Sequence, residues 1–192
     1  MSNRAVTAGL LSEGRTEVNM LIKQLNYNDY KGLKYVAEAR SDKYFSIEPE
    51  DDGFAMHWVD ADKEIVKHIE DDMLSDWLDD PVAYGAYEDK ELIGFVEGFH
   101  EKWNNRYRIT NICVFDSDMR NTGLGTRLLD MILQDAVQSG ARMTVLETQS
   151  YNSKAIAFYK KNGFEIIGFD RFAYSNKDPE EHNMRIEMGR IL

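Results

Sequence analysis

Apolar positions along this chain recur in two rhythms, one every second residue and one every three to four, and the rhythm changes from segment to segment. Met20-Leu21-Ile22-Lys23-Gln24-Leu25 is a short apolar run suited to a strand, after which Asn28 or Asp29 can cap a helix through about Ala39. Between Asp62 and Asp79, Ile65, Ile69, Met73 and Trp77 recur every four residues, with Val66, Leu74 and Leu78 beside them and Pro81 as a stop. That spacing predicts an amphipathic helix with an acidic outer face. Val82 to Tyr87, Glu91 to His100 and Tyr107 to Phe115 are rich in β-branched and aromatic residues, which predicts an antiparallel meander.

Leu124, Leu128, Ile132 and Ala136, with Leu129, Leu133 and Val137 on the adjoining row, predict a long helix ending near Gly140. Met143 to Thr148 reads as a buried strand. Asn152 is placed to cap a helix carrying Ile156 and Tyr159 and closed by Asn162-Gly163, with strands to follow at Phe164 to Asp170 and about Asn183 to Ile191. Strand and helix alternate in this half, so at least one parallel crossover must run from Val114 through the long helix to Val145. The fold class is therefore α/β.

A chain of 192 residues with 43% hydrophobic positions suffices for one compact domain, and three prolines and thirteen glycines leave little for linkers. A single domain over 1–192 is expected. The N-terminal stretch has no long apolar core ahead of a small-residue cleavage site, and no membrane-length apolar run occurs, so a cytoplasmic setting without a membrane partner is expected. Cys113 is the one cysteine, and the four histidines show no metal-ligand spacing, so no metal is expected. Of the net charge of −11, Glu48 to Asp80 accounts for all, with thirteen acidic and two basic residues. Such a field repels nucleic acid and would gather a cationic partner; a solvated face that keeps the chain soluble is the other reading.

The stretch Met119-Arg120-Asn121-Thr122-Gly123-Leu124-Gly125-Thr126-Arg127 sets two glycines at the start of the long helix, where unpaired backbone amides and the helix dipole suit an anion. A P-loop would need Lys-Ser or Lys-Thr after Gly125, where Thr126-Arg127 stands, and a dinucleotide fingerprint would need a glycine or alanine at Leu128. What remains is Arg-x-x-Gly-x-Gly, followed by Leu146-Glu147-Thr148-Gln149, by Asn152 to Tyr159, and by Asn162-Gly163-Phe164. Together these runs resemble the GNAT superfamily of acetyl-CoA-dependent N-acetyltransferases. Within it they are most similar to streptothricin acetyltransferases, over roughly Pro81 to Leu192.

The resemblance implies a GNAT fold, a mixed and mostly antiparallel sheet flanked by helices, with the cofactor motifs in 107–165. It implies that the backbone of Ile112, Cys113 and Val114 pairs with the pantetheine arm of acetyl-CoA. The amides of Arg120, Asn121, Thr122, Gly123, Leu124, Gly125 and Thr126 would hold the pyrophosphate, and Asn152 and Ala155 would contact the cofactor. Tyr159 matches the family tyrosine that protonates the departing thiolate, and Val114 N–H the oxyanion donor. A side chain of Arg120 bound to surface carboxylates, Asn152 as a helix cap only, and Tyr159 as a core tyrosine are the structural alternatives.

Acetyl transfer to an amine needs a neutral nitrogen and therefore a base. Related streptothricin-type enzymes carry carboxylates on the strand before the glycine loop, where this chain has Thr110-Asn111. Glu147 and Glu97 are the remaining candidates, as acceptor-binding groups and base, since each sits in an apolar strand where burial would raise its pKa; Glu147 stands first because it belongs to the recognisable run, and water-mediated deprotonation, with Glu147 only ordering neighbouring backbone, is the alternative. A thiol nucleophile at Cys113 is set aside for want of a partner histidine. Tyr27, Tyr30, Trp58, Trp77 and Trp103 are candidates to line an acceptor pocket. The expected activity is transfer of acetyl to a primary amine of a small cationic molecule: a streptothricin-like or aminoglycoside antibiotic, with resistance as its use, or a polyamine. A protein or peptide N-acetyltransferase and a non-catalytic acetyl-CoA-binding module are the rivals, and a homodimer is left open.

Overall fold

The computed structural model describes residues 6–7, 20–115, 119 and 122–192. These described residues fall into two compact units, those within 1–35, 71–144 and 192 and those within 36–70 and 145–191.

In the first unit, β1 (Val6–Thr7), β2 (Met20–Gln24), β5 (Val82–Glu88), β6 (Glu91–Glu101) and β7 (Arg106–Val114) are neighbours in that order, each pair antiparallel. The three strands from Val82 to Val114 match the expected meander. Helix α2 (Leu124–Gln138) packs on β5, β6 and β7 through Leu124, Leu128, Leu129, Ile132, Leu133 and Ala136. The expected stripe is thus the buried face, and each fully buried leucine there contributes about 1.5–3 kcal/mol. The helix ends where Gly140 turns to φ +75°.

Two expected helices are strands. After Asn26 caps Asn28 N–H at 2.9 Å, α1 (Tyr27–Tyr30) lasts one turn, because Gly32 at φ +73° turns the chain out. The residues up to Ala39 belong instead to β3 (Lys34–Glu50), which pairs with β4 (Gly53–Asp72) as a separate two-stranded sheet. The segment expected as an acidic helix from Asp62 to Asp79 is the second half of β4 and the turn after it. A spacing of four is a multiple of two as well as a helical turn. Along β4, Val59, Ala61, Ile65, Lys67 and Ile69 are half-buried, whereas Asp60, Asp62, Glu64, Val66, His68 and Glu70 are exposed. That is a strand's alternation, and β-branched Val59, Ile65, Val66 and Ile69 suit it.

In the second unit, β8 (Met143–Gln149), β10 (Arg185–Ile191) and β9 (Glu165–Asp170) are neighbours in that order, β9 and β10 antiparallel. Helix α3 (Ser153–Lys161) starts at Asn152, whose Oδ1 accepts from Ala155 N–H at 3.3 Å. It closes at Asn162, before Gly163 at φ +82°. Phe45, Ile47, Leu146, Tyr151, Ile156, Phe164 and Ile186 are buried here. Backbone bonds from Phe45 N–H to Ser150 O and from Ser150 N–H to Met184 O, both 2.8 Å, join β3 to the turn after β8 and to the approach to β10.

Candidate active site

The first unit carries Glu97 on β6, paired in register with Asn111 on β7. The pairing then jumps to Gly98 with Ile109, so Thr110 is an extra residue on β7, a β-bulge. Consecutive strand residues ordinarily point to opposite faces; at the bulge both Thr110 and Asn111 reach the same carboxylate oxygen. Thr110 Oγ1 donates to Glu97 Oε1 at 3.0 Å, and Asn111 Nδ2 donates to it at 2.8 Å. Glu97 Oε2 accepts the backbone N–H of Leu74 at 2.7 Å. Tyr35 Oη donates to Asn111 Oδ1 at 2.7 Å, and Asp71 Oδ2 lies 3.4 Å from Asn111 Nδ2.

Glu97 is fully buried. Burial raises its pKa above the ordinary carboxylate value, against the pull of the bonds from Asn111, Leu74 N–H and Thr110, and the nearby charge of Asp71 adds to the rise. Glu97 is thus buried in its strand with its pKa raised, as its apolar neighbours predict. The same burial raises Tyr35, with Asp71 next in effect, so its phenol stays neutral. Around these groups lies an aromatic floor: Tyr35 meets Phe95 edge-on at 5.0 Å and Phe115 at 6.1 Å, with Tyr27 and Tyr30 packed on the same cluster. Trp77 and Trp103, also expected near an acceptor, are 67% and 83% exposed.

Ile112, Cys113 and Val114 run along β7 opposite Val96, Phe95 and Gly94. Arg120 and Asn121 lie outside the described residues. Thr122 Oγ1 donates to Met119 O at 2.7 Å, tying the turn. Gly123 starts α2 in the left-handed region at φ +89° and offers no capping side chain, with Leu124, Gly125 and Thr126 in the first turn. A Cβ at Gly123 would meet nothing within 4 Å. An uncapped helix start beside open space fits an anionic group such as a pyrophosphate.

The second unit carries Glu147, Asn152, Ala155 and Tyr159. Glu147 corrects the expectation of a buried carboxylate. Its neighbours Val145, Leu146 and Thr148 are buried, but its own side chain is 40% exposed, because the strand's alternation turns it outward. There it lies 3.8 Å from Arg185 and accepts from Tyr174 Oη at 3.3 Å. Burial pushes the Tyr174 phenol up to about 12, with the Glu147 charge adding to the rise. Tyr159 is buried on α3, its ring 5.3 Å from Phe158 and 5.9 Å from Phe164.

Tyr35 and Asp71 were not among the expected site residues. An alternation count over 53–72 is the signal that turns Asp71 from a helical position into the end of a strand.

The model of the acetyltransferase (GNAT) family matches residues 39–164. A streptothricin acetyltransferase of Streptomyces lavendulae is 33% identical over 155 residues, covering 75% of this chain and 80% of the relative. The solved structure of a nourseothricin acetyltransferase aligns with a TM-score of 0.70 at 23% identity, covering 90% of this chain and 98% of that one. A Bacillus anthracis structure described as a streptothricin acetyltransferase in complex with acetyl coenzyme A aligns with a TM-score of 0.64 at 24% identity, covering 91% and 99%. The fold is the α/β GNAT fold with a mixed, mostly antiparallel sheet. The chain belongs to the GNAT family of acetyltransferases. It is an N-acetyltransferase whose acetyl donor is acetyl-CoA, and no helix among the described residues is long and apolar enough to cross a membrane.

Proposed function

We propose that this chain acetylates a primary amine of a small cationic molecule of the streptothricin type, by direct attack, with Glu97 as the base. The observation that carries the assignment of the base is the buried Glu97 carboxylate, held by Thr110, Asn111 and Leu74 N–H and raised in pKa by burial. A raised carboxylate is matched to taking a proton near neutral pH. Glu97 has no surface of its own, so the proton reaches it through Thr110. The half-buried hydroxyl takes the amine's proton at Oγ1 and passes its own to Glu97 Oε1. Glu147, exposed and beside Arg185, becomes a binding residue at most.

Acetyl-CoA supplies the activated acetyl thioester. The amides of Arg120 to Thr126 would hold its pyrophosphate, the backbone of Ile112 to Val114 its pantetheine arm, and Asn152 and Ala155 would flank it. Val114 N–H would stabilise negative charge on the acetyl oxygen, and Tyr159 Oη would supply the proton to the departing thiol. Likeness to streptothricin acetyltransferases supports the acceptor class, and the exposed carboxylates of Asp60, Asp62, Glu64 and Glu70 supply a field that favours a cation. In this reading residues 1–192 act as one acetyltransferase domain, in the cytoplasm, on neither nucleic acid nor membrane. A homodimer is compatible with it.

Thiol release and product mass, measured with acetyl-CoA and a panel of streptothricin, aminoglycosides, polyamines and peptides, test the proposal. Streptothricin or another small polycation should gain one acetyl group. Acetylation of peptide N-termini alone would make it a peptide N-acetyltransferase, and cofactor binding with no release on any amine would make it a binding module; either result overturns the proposal.

A further inference from the structure

Tyr35 lies outside every motif that points to acetyl transfer, yet its hydroxyl ends in the hydrogen-bond chain that reaches Glu97. The chain has a direction set by chemistry. An ionised Glu97 can only accept, so the Asn111 group facing Oε1 must be the amide nitrogen, found at 2.8 Å. That leaves Oδ1 on the other side, where Tyr35 Oη donates to it at 2.7 Å. A flipped amide would set two acceptors against each other at Glu97 and waste the phenol's proton.

We infer that Tyr35 is a positioning residue for acetyl transfer, its hydroxyl locking the Asn111 amide so that Nδ2 stays on the Glu97 carboxylate. The inference rests on the reading of Glu97 as base. Tyr35 is suited to the task because its ring is fixed edge-on against Phe95 and beside Phe115, so the hydroxyl is held in one place. Its phenol is kept protonated, as a donor must be, by burial and by the negative charge of Asp71. The groups that face this chain are Asp71 and Asp72 from the end of β4, Leu74 N–H from the turn after it, and Thr110 and Cys113 from β7. Asp71 Oδ2, 3.4 Å from Asn111 Nδ2, accepts the second hydrogen of the same amide, so it too favours the orientation that Tyr35 sets.

The test is the acid limb of the kcat/KM profile in wild type, Tyr35→Phe, Asn111→Ala and the double variant, with Glu97→Gln as reference. Phenylalanine keeps the ring contacts and removes only the donor. Loss of a donor that favours the ionised base should move the limb of Tyr35→Phe upward by roughly half to one pH unit. Asn111→Ala should move it in the same direction, and the double variant no further than Asn111→Ala alone. A limb that stays in place in Tyr35→Phe overturns the inference even if the variant melts earlier, since a packing role would not move it. Additive shifts overturn it as well, because Tyr35 would then act other than through Asn111. If the limb persists in Glu97→Gln, the base reading itself fails, which the Tyr35 variant alone would not reveal.

Discussion

Asn111 and Glu97 face one another across adjacent antiparallel strands, and the asparagine amide donates to the buried carboxylate at 2.8 Å. At the positions where the resemblance led to an expectation of carboxylates this chain has Thr110-Asn111, and both side chains donate to the Glu97 carboxyl on β6.

Exchange of Glu147 for glutamine should therefore leave turnover within about threefold of wild type, because an exposed carboxylate beside one arginine makes a modest contribution. Steady-state rates under saturating acetyl-CoA measure this. A loss of a hundredfold or more would return the base to Glu147.

Gly98 makes the bulge possible. A Cβ there would stand 2.5 Å from Arg108 O and 2.9 Å from the Tyr107 ring. Gly98→Ala should cost about 1–3 kcal/mol, and activity should fall with it because Thr110 and Asn111 shift. Thermal unfolding and initial rate measured on one preparation would show whether the two losses travel together.

Part of this architecture is legible in the chain and part is not. Leu124 to Ala136 shows a stripe over three turns, long enough that no strand fits, and Asn152 and Gly163 mark both ends of α3, so those elements are where the spacing puts them. Ile65 and Ile69 are four apart, which a helix and a strand satisfy equally. Only the half-buried Lys67 between them, with Val59 and Ala61 before them, reveals the alternation. Glu147 failed for a related reason: its apolar neighbours are buried, but burial of a strand residue depends on its parity. The contact of Tyr35 with Asn111 joins residues 76 apart in sequence, and no local pattern encodes it.

Asp135 on α2 is half-buried, and its Oδ2 has no hydrogen-bond partner among protein atoms. Burial raises its pKa, against a hydrogen bond from Tyr84 that lowers it. A carboxyl raised in the folded state adds stability that is full below its unfolded pKa and is lost as pH rises through its folded pKa. Asp135→Asn should accordingly stabilise the protein more at pH 7 than at pH 4. Denaturant unfolding at both pH values measures the difference, and a larger gain at pH 4 would contradict the assigned environment.

Replacing Tyr159 by phenylalanine keeps a buried ring between Phe158 and Phe164 and removes the phenolic proton. Turnover should drop by at least about tenfold with little change in acetyl-CoA affinity, as loss of a general acid would produce. Calorimetric binding set beside kcat separates the two, and an unchanged kcat would leave Tyr159 as a core residue.

In the proposed reaction Glu97 is the final base, receiving through Thr110 Oγ1 the proton that the amine loses. The kcat/KM profile against pH, followed by thiol release in wild type and Glu97→Gln well below the melting temperature, tests it most directly. Wild type should lose activity as pH falls through a limb above the ordinary carboxylate range, since the base must be ionised, and Glu97→Gln should show a rate lower by about a hundredfold or more with that limb gone. A full rate with the limb intact in Glu97→Gln would contradict it.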